Sequence, residues 1–197
     1  MISTKIADAP SEDSNPAIQT SVRRCVIGLY RSKKDSGPFA YLQNFRHEWS
    51  KILGKDREET EKARTYKRKV DPEYVPMLVN AIEGPVDAVL SPPSDHPWQA
   101  EPYRMNLADK FPDAADLTER FSRNGSARAA KGATLDELTA GLVYEPNRHE
   151  SEFRALVIVD DTFRTGTTAA GIIAKLEEHG LAEECRVIIA APLWTDT

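Results

Sequence analysis

The chain has 197 residues, of which 40% are hydrophobic and 29% charged, with a formal net charge of −5. This length and balance fit one soluble domain with a sizeable core, and the acidic excess argues against general nucleic-acid binding, which needs a basic face. No apolar run approaches the length of a membrane span, and two cysteines, Cys25 and Cys185, are too few for a disulfide framework or a zinc site.

Residues 1–21 lack the apolar core of a secretion signal and are expected to be a flexible polar leader, which leaves 22–197 as a single domain in the cytoplasm. Arg24 to Arg31 predicts a first strand, closed by a turn at Lys33–Gly37. Between Pro38 and Leu53 the apolar residues recur near helical spacing, and Lys55 to Lys69 reads as a solvated helix or a connection. A helix is expected after Asp71, with Pro72 in its first turn, Met77, Leu78, Val79 and Ile82 on its apolar side, and Gly84-Pro85 as its stop. Val86 to Leu90 then predicts a short buried strand, followed by the loop Ser91-Pro92-Pro93-Ser94.

The middle is less regular. Tyr103 to Lys110 and Asp116 to Phe121 read as helical, and Arg123 to Lys131 as a basic loop of small residues. Thr134, with Glu137 three positions on, has the spacing of a capping box. Arg186 to Ala190 is expected as the last strand, and Cys25 and Cys185, both on or beside strands, as small buried hydrophobes. Alternating strands and helices imply an α/β fold, a Rossmann-like, doubly wound and mainly parallel sheet of about four to five strands flanked by helices.

Most of the chemistry lies in Leu156 to Thr168. Leu-Val-Ile-Val suits a strand buried on both faces, and Asp160 and Asp161 follow at its carboxyl end, where open α/β sheets place ligands. A Thr/Gly turn, Thr165-Gly166-Thr167-Thr168, leads into a helix expected over Ala169–His179 and ended by Gly180. N–H groups at a helix start, with hydroxyls beside them, suit a phosphate. Carboxylates that accept sugar hydroxyls next to such a cradle describe a receptor for a ribose 5-phosphate. A Walker B strand would read similarly, but the chain has no G-x-x-x-x-G-K-[ST] to hold a triphosphate.

Four apolar residues, two acids, a few variable positions and Thr-Gly-x-Thr resemble the phosphoribosyl-pyrophosphate (PRPP) motif of type I phosphoribosyltransferases. More loosely, Tyr66 to Pro192 resembles the competence-type (ComF-like) branch of that family, without its N-terminal cysteine zinc module. The resemblance implies that Asp160 and Asp161 hold the ribose hydroxyls and a magnesium ion, and that Arg164, Thr165, Gly166, Thr167 and Thr168 form the 5-phosphate loop. It further implies a magnesium-dependent transferase that moves phosphoribosyl from PRPP and releases pyrophosphate. Donors for that pyrophosphate are then expected from Ser91 and Ser94, with Arg104, Arg128 and Lys131 as the charges nearest to hand. Trp194 is an acceptor-stacking candidate, and hood or flap elements are expected within 38–69 and 95–153. Arg164 stands where several purine-using members carry an acid that handles a proton, and Arg cannot serve as a base. The alternative reading is therefore a non-catalytic PRPP- or nucleotide-sensing module, whose partner is a regulated protein; a homodimer is also left open.

Overall fold

The computed structural model describes residues 3–6, 24–30, 65, 68, 71–72, 74–94, 97–125, 132–147, 153–160, 162–163, 166–182 and 185–194. The apolar stretch 38–53 and the charged stretch 55–64 lie outside the described residues. One seven-stranded sheet organises the rest, in the order β1-β2-β9-β7-β3-β4, with β8 also paired to β9. Its strands are β1 (Ser3–Ile6), β2 (Arg24–Tyr30), β3 (Ala88–Leu90), β4 (Ala115–Asp116), β7 (Ala155–Val159), β8 (Thr162–Phe163) and β9 (Arg186–Trp194). All pairings in this sheet are parallel except that of β1 with β2. The expected parallel α/β sheet is therefore present, with more strands than the four to five anticipated. Ser3–Ile6, inside the stretch read as a polar leader, supplies one of the extra strands.

Helix α1 takes in the described residues 71–72 and 74–80, and Thr65 and Arg68 are helical too, so helix begins before the expected start after Asp71. Helix α2 covers Glu101–Lys110, α3 covers Leu135–Gly141 and α4 covers Thr167–Glu177. Alternate residues of the central strands divide between two cores, as strand geometry requires. Leu90, Leu156, Ile158, Val187 and Ile189 pack with Ile172, Ile173 and Leu176 of α4. Val89, Val157, Val159, Ile188 and Ala190 pack with Leu78 and Val79 of α1 and Tyr103 and Leu107 of α2. Helices therefore cover both faces, which is why β7 has no polar residue from Ala155 to Val159. Each fully buried branched side chain here contributes about 1.5–3 kcal/mol.

Local chemistry fixes where these elements begin and end. Lys110 Nζ donates to the carbonyls of Val79 (2.9 Å) and Ile82 (2.7 Å), and Arg186 Nη2 to that of Glu83 (2.7 Å). Lys110 thus caps the last turn of α1, where carbonyls and the helix dipole favour positive charge, and Arg186 holds the turn that follows it. The capping box expected at Thr134 is formed in full with Glu137. Gly180, the expected stop after α4, has φ +67, and Cys185 is buried as expected. Among the described residues no helix is long and apolar enough to cross a membrane.

Asp116 to Phe121 corrects the sequence reading. Instead of a helix it contains the end of β4, a 3-10 turn at Thr118–Arg120, and the start of β5 (Phe121–Arg123), which pairs antiparallel with β6 (Leu142–Tyr144). Leu117 and Phe121 are four apart, as on a helix, and both are buried. Two competing bonds decide the backbone: Leu117 N–H donates to Val89 O (2.9 Å) and Thr118 N–H to the Asp116 carboxylate (3.0 Å). The sheet edge and an Asp side-chain turn take the amides that a helix would use. The last strand is also longer than Arg186–Ala190, running to Trp194, because β2 pairs with it as far as Leu193 and β8 lies alongside its last two residues.

Tyr103, 2% exposed, sits in the second core. Burial pushes its hydroxyl well above the ordinary tyrosine range, and the nearby charge of Asp71 and then Tyr74 push the same way. The unfolded chain releases this proton near pH 10 while the folded chain keeps it. The stabilisation is therefore complete below about pH 10 and is lost as pH rises further, with a slope approaching about 1.4 kcal/mol per pH unit. Denaturant unfolding of Tyr103→Phe across this range is expected to show a shallower decline than the wild-type chain. Equal slopes would remove Tyr103 as the cause.

Candidate functional site at the carboxyl edge of the sheet

Two neighbouring parallel strands send their chains in opposite directions. From β3 the chain crosses by α2 to β4 on one side, and from β7 it crosses by α4 to β9 on the other. Helices α2 and α4 belong to opposite cores, so the connections diverge from the carboxyl ends of β3 and β7. Such a topological switch point is where open α/β sheets receive ligands. Asp87 sets the alignment at the other end of this pair. One of its carboxylate oxygens accepts the N–H groups of Arg154 and Ala155, each at 2.9 Å. The register Leu90↔Ile158 follows, and it carries Ser91 to the level of Val159, one residue before Asp160, at the carboxyl edge.

Asp160 is half-buried, and its N–H donates to Ala190 O at 3.0 Å, which pins the backbone as the chain leaves β7. Ser91 is 6% exposed, and its Oγ finds no hydrogen-bond partner among the described residues. Its N–H donates to Thr118 Oγ1 at 3.0 Å. A buried hydroxyl without an acceptor is costly, and this one lies at the carboxyl edge of the sheet.

After Asp160 the chain forms β8 and then Gly166, which has φ +75 and stands at the N-cap of α4 with no side-chain cap. The first intrahelical bond is Ala170 N–H to Gly166 O, at 2.9 Å, so the N–H groups of Thr168 and Ala169 stand ahead of the helix's own ladder. A left-handed residue followed by helical ones turns successive N–H groups inward to form an anion-binding nest. The first turn of α4 carries no acid that would oppose a bound anion. Phe163 packs against the core and its ring lies under Gly166, 3.1 Å from where a Cβ would be. Only glycine fits both that contact and that φ.

Ser91, Asp160, Gly166, Thr167 and Thr168 thus occupy one edge of the sheet. Ser94 is exposed on the loop after β3. Trp194 ends β9, paired in register with Phe163, and its side chain lies outside the description. Asp161, Arg164, Thr165, Arg128 and Lys131 lie outside the described residues. Arg104, read from the sequence as a pyrophosphate ligand, pairs on α2 with Asp116. Neither Thr118 nor Asp116 stood out in the sequence, although Asp-x-Thr is the spacing of an Asp side-chain turn.

Asp160 and Ser91 offer hard oxygen atoms, which suit magnesium, an ion that keeps much of its shell as substrate and water. Among the described residues no group of three or more His, Cys, Asp or Glu side chains could hold a metal by itself. A separate open cavity of about 770 Å³ adjoins β4 and is lined by Asp116, Glu119, Arg120, Glu145, Pro146 and Asn147. Its acids outnumber its one cation, so a polyanion is better met at Ser91 and α4. No protein-family model and no curated protein matches this chain.

Proposed function

We propose that this protein is phosphoribosyltransferase-like: it binds PRPP, or a nucleotide carrying ribose 5-phosphate, across the carboxyl ends of β3 and β7 and transfers phosphoribosyl with release of pyrophosphate. The observation that carries this reading is the opening of α4, with left-handed Gly166 at its N-cap and no acid in its first turn, reached through β8 from Asp160, the residue that follows β7. In this reading the backbone at the start of α4, at Gly166 and Thr168, receives the 5-phosphate. Asp160, with Asp161, accepts the ribose hydroxyls and orients C1 toward β3, where Ser91 and Ser94 donate to the pyrophosphate. Magnesium held near Asp160 and Asp161 would neutralise charge on the departing pyrophosphate. The C1–O bond to pyrophosphate then breaks through an oxocarbenium-like state as a nitrogen of the acceptor base bonds to C1 and gives up its proton to solvent, while the two ends of the substrate stay anchored on neighbouring strands.

Arg164 favours a second reading, because it stands in the loop between the ribose acids and the phosphate turn and cannot accept a proton. A protein that keeps the pocket and only senses PRPP or a nucleotide tolerates this residue. Incubation with PRPP, magnesium and a panel of nitrogenous bases, followed by pyrophosphate release, separates the two. Release above the base-free rate supports the transferase. Saturable PRPP binding with no release for any base supports the sensor.

A further inference from the structure

We propose that Thr118 and Asp116 are positioning residues that hold Ser91 for the pyrophosphate end of the site, an inference that rests on the ribose-phosphate reading above. The loop after β3 is Ser91-Pro92-Pro93-Ser94, and neither proline has an N–H. An anion at this strand end therefore meets few backbone donors, and side-chain hydroxyls must serve it. The one N–H before the prolines, that of Ser91, is taken by Thr118 Oγ1 at 3.0 Å. That bond fixes the backbone of Ser91 and leaves its buried Oγ, with no partner among the described residues, as the group available to a ligand.

Thr118 is itself held. Its N–H donates to Asp116 Oδ1 at 3.0 Å, and the other oxygen of Asp116 takes the Arg104 guanidinium. With both carboxylate oxygens engaged, the Asp116 side chain has one orientation, and the turn that presents Thr118 Oγ1 is fixed with it. Arg104 of α2, Asp116 at the end of β4, Thr118, and Ser91 after β3 thus form one relay across three elements. Arg104 in this arrangement acts on the loop through Asp116 and not as a direct ligand, which changes the role its charge suggested in the sequence.

Thr118→Val keeps the side-chain shape and removes the acceptor, whereas Thr118→Ser keeps the hydroxyl. Calorimetric titration uses two probes, magnesium pyrophosphate and ribose 5-phosphate, and hydrogen exchange reads the Ser91 amide. Thr118→Val is expected to weaken magnesium pyrophosphate binding by about tenfold, as when a buried amide loses its acceptor, and to speed exchange at Ser91. Ribose 5-phosphate binding is expected to stay as in the wild type, and Thr118→Ser to behave as the wild type throughout. Unchanged pyrophosphate affinity in Thr118→Val, or equal weakening of both probes, overturns the relay while leaving the ribose-phosphate reading intact. A wild-type protein that binds neither probe overturns that reading, and the relay's role with it.

Discussion

Replacing Gly166 with Val is expected to cost about 2–4 kcal/mol of folding stability and to abolish binding of phosphate-bearing ligands. Gly166 has φ +75, a conformation in which an L side chain is strained and a β-branched one most of all. Its Cβ would stand 3.1 Å from Cε2 and 3.3 Å from Cζ of Phe163. The Phe163 ring packs against the core formed by β7, β9 and α4, so it has little room to retreat. Relief must come from the backbone, and moving that backbone breaks up the N–H groups that open α4. Gly180 is the internal control. It has φ +67 but no atom within 4 Å of an added Cβ, so Gly180→Ala carries the conformational cost alone, about 1–2 kcal/mol. Denaturant unfolding of the two variants, with ribose 5-phosphate titration of each, checks the difference. Ligand binding retained in a folded Gly166→Val protein would remove the helix start as the phosphate cradle.

Replacing Asp160 and Asp161 together with Asn is expected to weaken PRPP and ribose 5-phosphate binding by about a hundredfold or more, since charge-assisted bonds to hydroxyls contribute about 1.5–3 kcal/mol each. Stability is expected to change little. The amide of Asp160 is anchored to Ala190 O whatever the side chain, and five consecutive buried residues of β7 hold the strand. Asn keeps the shape of Asp, so the edge stays built while its acceptors weaken. Thermal unfolding and titration on the same samples separate the outcomes. A large loss of stability with affinity intact would make the pair a structural feature of the strand end.

The parts of the fold that were legible in the sequence are those where local pattern and tertiary demand agree. The run Leu156–Val159 could only be a strand covered on both sides, and the packing of α4 against one face and α1 and α2 against the other explains why no polar residue interrupts it. Thr134 and Glu137 carry their cap within four residues, so no distant contact could hide it. Gly180 follows the end of α4 where the sequence put the stop, whereas α1 ends at residue 80, before the expected stop at Gly84-Pro85. Asp116 to Phe121 was misread because its decisive partners, Val89 O and the Asp116 carboxylate, lie outside what apolar spacing records. The extension of β9 to Trp194 depends on its pairing with β2 as far as Leu193 and with β8, a two-residue strand too short to leave a pattern of its own. At the site, Asp160 and Gly166 were visible because a motif is contiguous. The hold of Thr118 on Ser91 spans 27 positions and exists only once β3 and β4 are side by side.

The measurement that bears most directly on the ribose-phosphate pocket is calorimetric titration of the folded protein with magnesium PRPP. The account predicts saturable binding at one site per chain, displaced by ribose 5-phosphate and lost in Gly166→Val. A well-folded sample that binds neither PRPP nor any ribose 5-phosphate nucleotide would contradict it.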